Sequence, residues 1–231
     1  MPVAPTSLIL LRHPLAEALL RFDGLPSLLL HPSRLAALFP AATQALLGAA
    51  APESVAWRRW HRHGSATLAR YLVLPPVAGL GDAGLPLALW PAAAWEPLQL
   101  LAGATLAGPR LRRVITREQV ETVRTQLGAA FDAVRTPEAA ALHPGWPAAQ
   151  RLAPERAGTE CAYWGGLLLA RAFDAAAPAV AARGRLRLPQ DAVDGAAQAL
   201  EGLPPVQALQ LSYSLIERID PVWLSSFPAA R

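Results

Sequence analysis

Proline and glycine punctuate the middle of this chain too densely for a long helix to pass. Pro75, Pro76, Gly79, Gly81, Gly84, Pro86, Pro91 and Pro97 all fall between Leu74 and Pro97. Each proline removes a backbone donor and clashes with the preceding turn, and each glycine costs a helix about 1 kcal/mol relative to alanine. The segment 74–97 therefore reads as an irregular apolar connection, packed on the surface by Leu85, Leu87, Leu89 and Trp90. It does not read as a domain boundary, because linkers between independent domains are more polar. The 231 residues suit one domain, 1–231. A domain of that size removes roughly 70% of its unfolded surface from water.

On both sides of this segment the apolar residues recur at helical spacing. Leu15, Ala18, Leu19 and Phe22 follow Pro14, and Gly24 and Pro26 stop that run. A short helix is expected over Leu35–Phe39, another over Thr43–Ala50, and a longer one from a Ser54 cap to about Leu68. Pro97 to Ala107 carries Leu98, Leu101, Ala102, Thr105 and Leu106 on one face. Thr116-Arg-Glu-Gln is a capping-box signature. The spacing of Val120, Val123, Leu127, Ala130, Phe131 and Val134 then predicts one helix to about Arg135. His143 to Pro154 is loop-like. The helix from Thr159 to about Ala176 is apolar nearly all round, which places it at the centre, with Gly165 and Gly166 allowing a close neighbour. Gln190–Leu200 and Pro205–Ile219 are the last long helices, and Asp220-Pro221 opens a terminal turn. Arg185-Leu-Arg-Leu alternates polar and apolar and is the one candidate for a small β element before Pro189. The fold class is all-α, a mainly helical globular domain with at most that one small strand.

Composition excludes several classes. The chain is 53% hydrophobic and 16% charged, which is the opposite of a disordered sequence. A single cysteine, Cys161, rules out a disulfide scaffold and a multi-cysteine zinc site. Leu8–Leu11 is too short for a signal-peptide core, and the uncharged window Leu35–Pro52 contains Pro40, Thr43, Gln44 and Gly48, so a cytoplasmic protein without a membrane span is expected. All 21 cationic residues counted as Lys+Arg are Arg, against 17 Asp+Glu. A GC-rich genome writes such a chain; phosphate or nucleic-acid binding is the other reading.

The motifs that could carry chemistry are few. His61-Arg-His63 has a metal-like look, but positions two apart face different sides of a helix and Arg58, Arg59 and Arg62 repel a cation. Trp57-Arg-Arg-Trp-His-Arg-His interleaves aromatics with cations, either to stack bases and neutralise phosphates or as a helix with Trp57 and Trp60 inward and the Arg outward. Gly79-Leu-Gly-Asp-Ala-Gly has the glycine spacing of a dinucleotide loop, yet Pro86 and Pro91 deny it the helix that would hold a pyrophosphate. Cys161 lies in the most apolar helix and reads as a small hydrophobe. No catalytic residue, cofactor or metal is expected. An enzyme working around Asp82 is the minor alternative.

Three regions, in order, resemble the K proteins of bacterial type III secretion systems, the YscK/SctK family of sorting-platform components. They are Leu8–Leu11 with Pro14 and Leu25-Pro-Ser27; then Leu98-Gln-Leu-Leu-Ala-Gly with Leu106, Arg112-Arg-Val114 and the helix after it; and Gly158–Leu169 followed by Arg185-Leu-Arg-Leu-Pro189 and a closing helix. The stretch from Pro40 to Trp95 departs from the family pattern and is longer. The resemblance implies a non-enzymatic adaptor at the cytoplasmic face of the injectisome. Its implied partners are the forkhead-associated-like cytoplasmic domain of the inner-membrane ring protein and the rotor-like pod protein, and through the pod the stator and ATPase. No nucleic acid and no direct membrane insertion are implied. On this reading Arg112, Arg113 and Arg117, and secondarily Arg185 and Arg187, are the candidate partner-binding residues. A basic helical nucleic-acid-binding protein is the alternative, motivated by Trp57–His63 and a pI near 10.2.

Overall fold

The structure is a computed structural model that describes residues 13–49, 51–144 and 152–228. Leu8–Leu11 and most of the loop expected between His143 and Pro154 lie outside those residues. Among the described residues there are fourteen α-helices and no strand.

The N-terminal third is a set of short amphipathic helices. Helix α1 (Ala16–Gly24) buries Leu19 and Phe22. After a 3-10 turn at Pro26–Leu29, α2 (Pro32–Leu38) ends before Pro40, and α3 (Ala41–Ala49) restarts the helix beyond it. Helix α4 (Val55–Tyr71) begins where the sequence asks for it, with the Ser54 hydroxyl accepting the Trp57 N–H at 3.1 Å. Its Leu68 is buried, and the helix packs on the Pro26–Leu29 turn.

Next comes the proline- and glycine-rich segment, and its depth corrects the surface placement expected for it. Residues 84–90 are all buried, and the only helix in them is the single turn α5 (Leu85–Ala88). Pro and Gly prevent helical continuity but say nothing about depth. Burial needs only that the backbone polar groups find partners, and side chains from distant parts of the chain supply them. Tyr213 Oη accepts the Gly84 N–H at 3.1 Å, and the Trp223 indole donates to Pro86 O at 2.9 Å. The Arg187 guanidinium donates to Ala88 O at 2.8 Å and Trp90 O at 2.7 Å. Ala177 N–H closes on Ala83 O. Gly84 stands at φ +83°, and a Cβ there would lie 2.4 Å from that of Ala176, so this turn requires glycine.

The core is built on α6 (Trp95–Leu106), which starts two residues before Pro97 because proline is tolerated in a first turn. Helix α7 (Gly108–Leu111) follows. Helix α8 (Arg117–Leu127) is capped by Thr116, whose hydroxyl accepts the Gln119 N–H. The single helix expected to Arg135 is in fact broken. Gly128, at φ +52°, turns the chain so that α9 (Ala129–Ala133) leaves in a new direction and still buries Phe131. After α10 (Pro137–Ala141), the central α11 (Ala157–Phe173) crosses α6, and α12 (Pro178–Gly184), α13 (Gln190–Ala199) and α14 (Pro205–Ile219) complete the fold.

The crossing of α6 and α11 is very close. A Cβ on Gly165 would fall 1.8 Å from Gln99 O, and one on Gly103 1.8 Å from Cys161 O. The Gln99 amide bridges the same crossing, donating to Ala162 O at 2.7 Å. Gly166 instead faces α13, where its Cβ would meet that of Ala192 at 3.2 Å.

The expected small β element is also corrected. Arg185–Arg187 is a turn of 3-10 helix, and its outward and inward alternation comes from a tight turn rather than a strand. One continuous hydrophobic cluster runs from Leu15 to Phe227, built from α1, α5 to α9 and α11 to α14, with no described residue from α2, α3, α4 or α10. No helix among the described residues is long and apolar enough to cross a membrane.

Candidate partner-binding surface

The five arginines singled out in the sequence fall into two unlike groups. Arg112 and Arg113 lie on the short connection from α7 to α8, and Arg117 is the first residue of α8. That connection is held from beneath by two guanidinium–carbonyl contacts running in opposite directions. Arg112 donates to Val134 O at 3.5 Å, while Arg135 donates to Val114 O at 3.1 Å. Arg135 in turn lies over the Phe131 ring, 4.9 Å from its centroid. Val114 points inward and is buried. The turn is thereby fixed, and it presents Arg113, Ile115 and Arg117 outward. Ile115 is 80% exposed, an apolar side chain set between two exposed cations. Arg117 pairs with Glu121 at 2.8 Å on its own helix, a surface pair worth well under 1 kcal/mol that a partner carboxylate can displace.

Arg185 and Arg187 sit elsewhere, between α12 and α13, and share no hydrogen bond or ion pair with the first group among the described residues. Arg185 pairs with Asp174, which also takes Arg171 at 3.1 Å. Arg187 is 9% exposed and stacks over Trp95, its guanidinium carbon 3.8 Å from the ring centroid. Burial pulls it down to about 9. Because this residue is spent on the carbonyls of Ala88 and Trp90, it is not presented to a partner. On a strand, the alternation in Arg-Leu-Arg-Leu would put both arginines on one face; the 3-10 turn sends Arg187 inward.

The aromatic–cationic run Trp57–His63 lies on α4 with Trp57 and Trp60 half-buried and Arg58, Arg59 and Arg62 exposed. His61 turns away from His63. Its Nδ1 meets the Ser27 hydroxyl at 2.9 Å, and Ser27 meets the Ser65 hydroxyl at 2.7 Å. Ser27 and Ser65 are both buried, so the trio pins the Pro26–Leu29 turn to α4. Burial lowers the His61 pKa. Asp82 closes its own turn by accepting the Ala78 N–H at 3.0 Å. Cys161 is buried against α6, and desolvation pushes its thiol up to about 12, far from a reactive thiolate. Among the described residues no group of three His, Cys, Asp or Glu is placed to hold a metal ion.

Two features had no clear signal in the sequence. The first is an apolar groove of about 580 Å³ between α6, the end of α8, α9 and the end of α14, lined by Pro97, Leu100, Leu127, Ala130, Ala133 and Arg218 among others. It exists because the chain breaks at Gly128, which the unbroken apolar spacing hid. The second is Arg110, which is buried at 8% exposure just before the half-buried Arg112 and the exposed Arg113.

No family model, curated protein or solved structure matches this chain. The surface geometry and the ordered sequence likeness are therefore the grounds for a functional reading.

Proposed function

We propose that this protein is a non-enzymatic adaptor of a bacterial type III secretion sorting platform, linking the forkhead-associated-like cytoplasmic domain of the inner-membrane ring to the rotor-like pod protein and through it to the stator and ATPase. The observation that carries the reading is the three-region likeness to the YscK/SctK family, in family order over most of the chain. The helical body supports it, as does the fixed turn that offers Arg113, Ile115 and Arg117. An exposed aliphatic residue between cations suits an acidic, partly apolar protein surface. On this reading the protein works at the cytoplasmic face of the inner membrane, held there by its partners.

The test is co-purification at low salt with the ring protein's cytoplasmic domain and with the pod protein of the same bacterium. Retention of at least one is expected, and retention of neither sinks the proposal. Replacing Arg113 or Arg117 singly should weaken binding by about 1 kcal/mol or less, as for rim charges. The combined reversal Arg112→Glu, Arg113→Glu, Arg117→Glu should abolish retention; unchanged binding would move the interface elsewhere. A titration with duplex DNA separates the competing reading. The exposed Arg58, Arg59 and Arg62 would then give an affinity falling steeply with salt, at a slope of about −0.9 per phosphate neutralised.

A further inference from the structure

Helices α2, α3 and α4 give no described residue to the hydrophobic cluster, and the outer side of α4 differs from the rest of the surface. Helix α4 contains no Asp or Glu. At 3.6 residues per turn its Arg58, Arg59, Arg62, His63 and Arg70 fall within about 140° of arc. All five are exposed, opposite the buried Gly64, Ser65 and Leu68. None of the four arginines makes an ion pair with a described residue, and Arg70 reaches only Ala66 O of its own helix, at 3.3 Å. Exposed arginines elsewhere are matched by carboxylates, Arg117 by Glu121 at 2.8 Å, Arg124 by Asp132 at 2.9 Å and Arg156 by Glu160 at 3.7 Å. Glu53, the acid just before α4, is held by Arg21 at 3.3 Å.

Beside this basic face lies α3. A cavity of about 260 Å³, lined by Pro40, Thr43, Trp60, His63 and Thr67, marks the seam between the two helices. Just before α3 the chain packs tightly on α4, where a Cβ on Gly64 would lie 3.7 Å from the Phe39 ring. The stretch 35–52 carries no charge at all. A helix this apolar is ordinarily buried, yet no described residue of α3 is. Its two polar side chains, Thr43 and Gln44, are half-buried, and the Gln44 amide is spent on Phe39 O at 2.7 Å. Leu46 is left exposed with Ala41, Ala42, Ala45 and Ala49, and Val55 and Tyr71 add exposed apolar surface at the two ends of α4.

We propose that the adjacent outer faces of α3 and α4 form a docking surface for an anionic phospholipid bilayer, on which the protein lies without crossing it. Charge complementarity sets the class of partner. Four unpaired arginines with no acid among them are drawn to an anionic leaflet, and uncharged apolar surface beside them enters the boundary between headgroups and acyl chains. A nucleic acid would use the arginines but leave α3 uncovered, because a phosphate backbone offers nothing to Ala and Leu side chains. Nor are the tryptophans free to stack bases: Trp57 and Trp60 are half-buried, and the Trp57 ring is engaged by His61 at 4.5 Å between centroids. This surface does not rest on the adaptor reading, and its test contains neither the ring protein nor the pod protein.

The experiment is flotation of the full chain at low salt with vesicles of phosphatidylcholine, alone or mixed in equal parts with phosphatidylglycerol. Capture by the mixed vesicles and not by phosphatidylcholine alone is expected, and it should fade as salt is raised. Each arginine near an anionic surface is worth about fivefold in partition, so the combined Arg58→Gln, Arg59→Gln, Arg62→Gln variant should lose about 100-fold. Leu46→Gln keeps every charge and should lose about tenfold through missing apolar burial, with any affinity for duplex DNA unchanged. All four side chains are exposed or at the seam's outer edge, and far-ultraviolet circular dichroism checks that both variants stay folded. The proposal is overturned if the mixed vesicles capture no more than phosphatidylcholine alone, if the arginine variant partitions like the wild type, or if Leu46→Gln does. Duplex DNA affinity that falls with the arginine variant, without vesicle capture, would assign the face to nucleic acid instead.

Discussion

Substituting Gly165 by alanine tests the central crossing directly. The new Cβ would sit 1.8 Å from Gln99 O, 2.8 Å from Gln99 C and 3.1 Å from Gly103 N. All three are backbone atoms of α6, so no side chain can swing aside. Ordinary carbon contacts lie at about 3.5–4.0 Å, and the two helices must part by about 1.5 Å or more. Overpacking of this kind costs about 1–3 kcal/mol. Parting also stretches the 2.7 Å bond from the Gln99 amide to Ala162 O, worth about 1 kcal/mol, and opens voids beside Leu98 and Leu168. The higher helix propensity of alanine returns about 1 kcal/mol. The net expectation is a loss of about 2–3 kcal/mol, with Gly103→Ala similar. Gly166→Ala, facing a side-chain methyl at 3.2 Å, should lose less. Gly24→Ala meets nothing within 4 Å at the end of α1 and should be neutral or stabilising by up to about 1 kcal/mol. Urea unfolding followed by far-ultraviolet circular dichroism gives the midpoints at constant slope. If Gly165→Ala falls within about 1 kcal/mol of the wild type, or Gly24→Ala is as damaging, the close-crossing argument is wrong.

Arg187→Met should destabilise by about 3 kcal/mol, because Ala88 O and Trp90 O are left buried without donors, and Arg187→Lys by about half as much; equal stability of all three proteins in urea would refute the carbonyl-capping role. His31, His61 and His143 are all held below the usual 6.5, mainly by burial. Between those lowered values and 6.5 the unfolded chain binds protons that the folded chain does not, so stability should decline as pH falls through 6.5. A urea midpoint that stays flat from about pH 7.5 to 5 would contradict that linkage.

Local signals in the sequence translated well. Ser54 and Thr116 announce helix starts because a cap involves only the next three residues, and the hydroxyls do accept the Trp57 and Gln119 N–H groups. The buried character of α11 was legible because its apolar residues leave no polar face. The break at Gly128 was not, since Phe131 and Val134 stay in phase with Leu127 although the helix between them has turned. Nor was the burial of residues 84–90, because the groups that satisfy their backbone come from Arg187, Tyr213 and Trp223. At the surface, Arg113 and Arg117 were visible as charges. The difference between Arg110, buried without a partner, and Arg187, buried with three, depends on tertiary neighbours that no spacing encodes.

The capped segment 84–90 also sets an order of events. Its donors and acceptors stand 97 to 137 residues further along the chain. The N-terminal helices are tied forward in the same way, Arg34 to Leu188 and Arg183 to Asp23, across 154 and 160 residues. During synthesis the first ninety residues therefore emerge without the groups that complete them, and they wait until the chain as far as Trp223 has left the ribosome. Despite its helical content the protein should fold slowly for its size, with loop closure rather than helix formation as the pacing step.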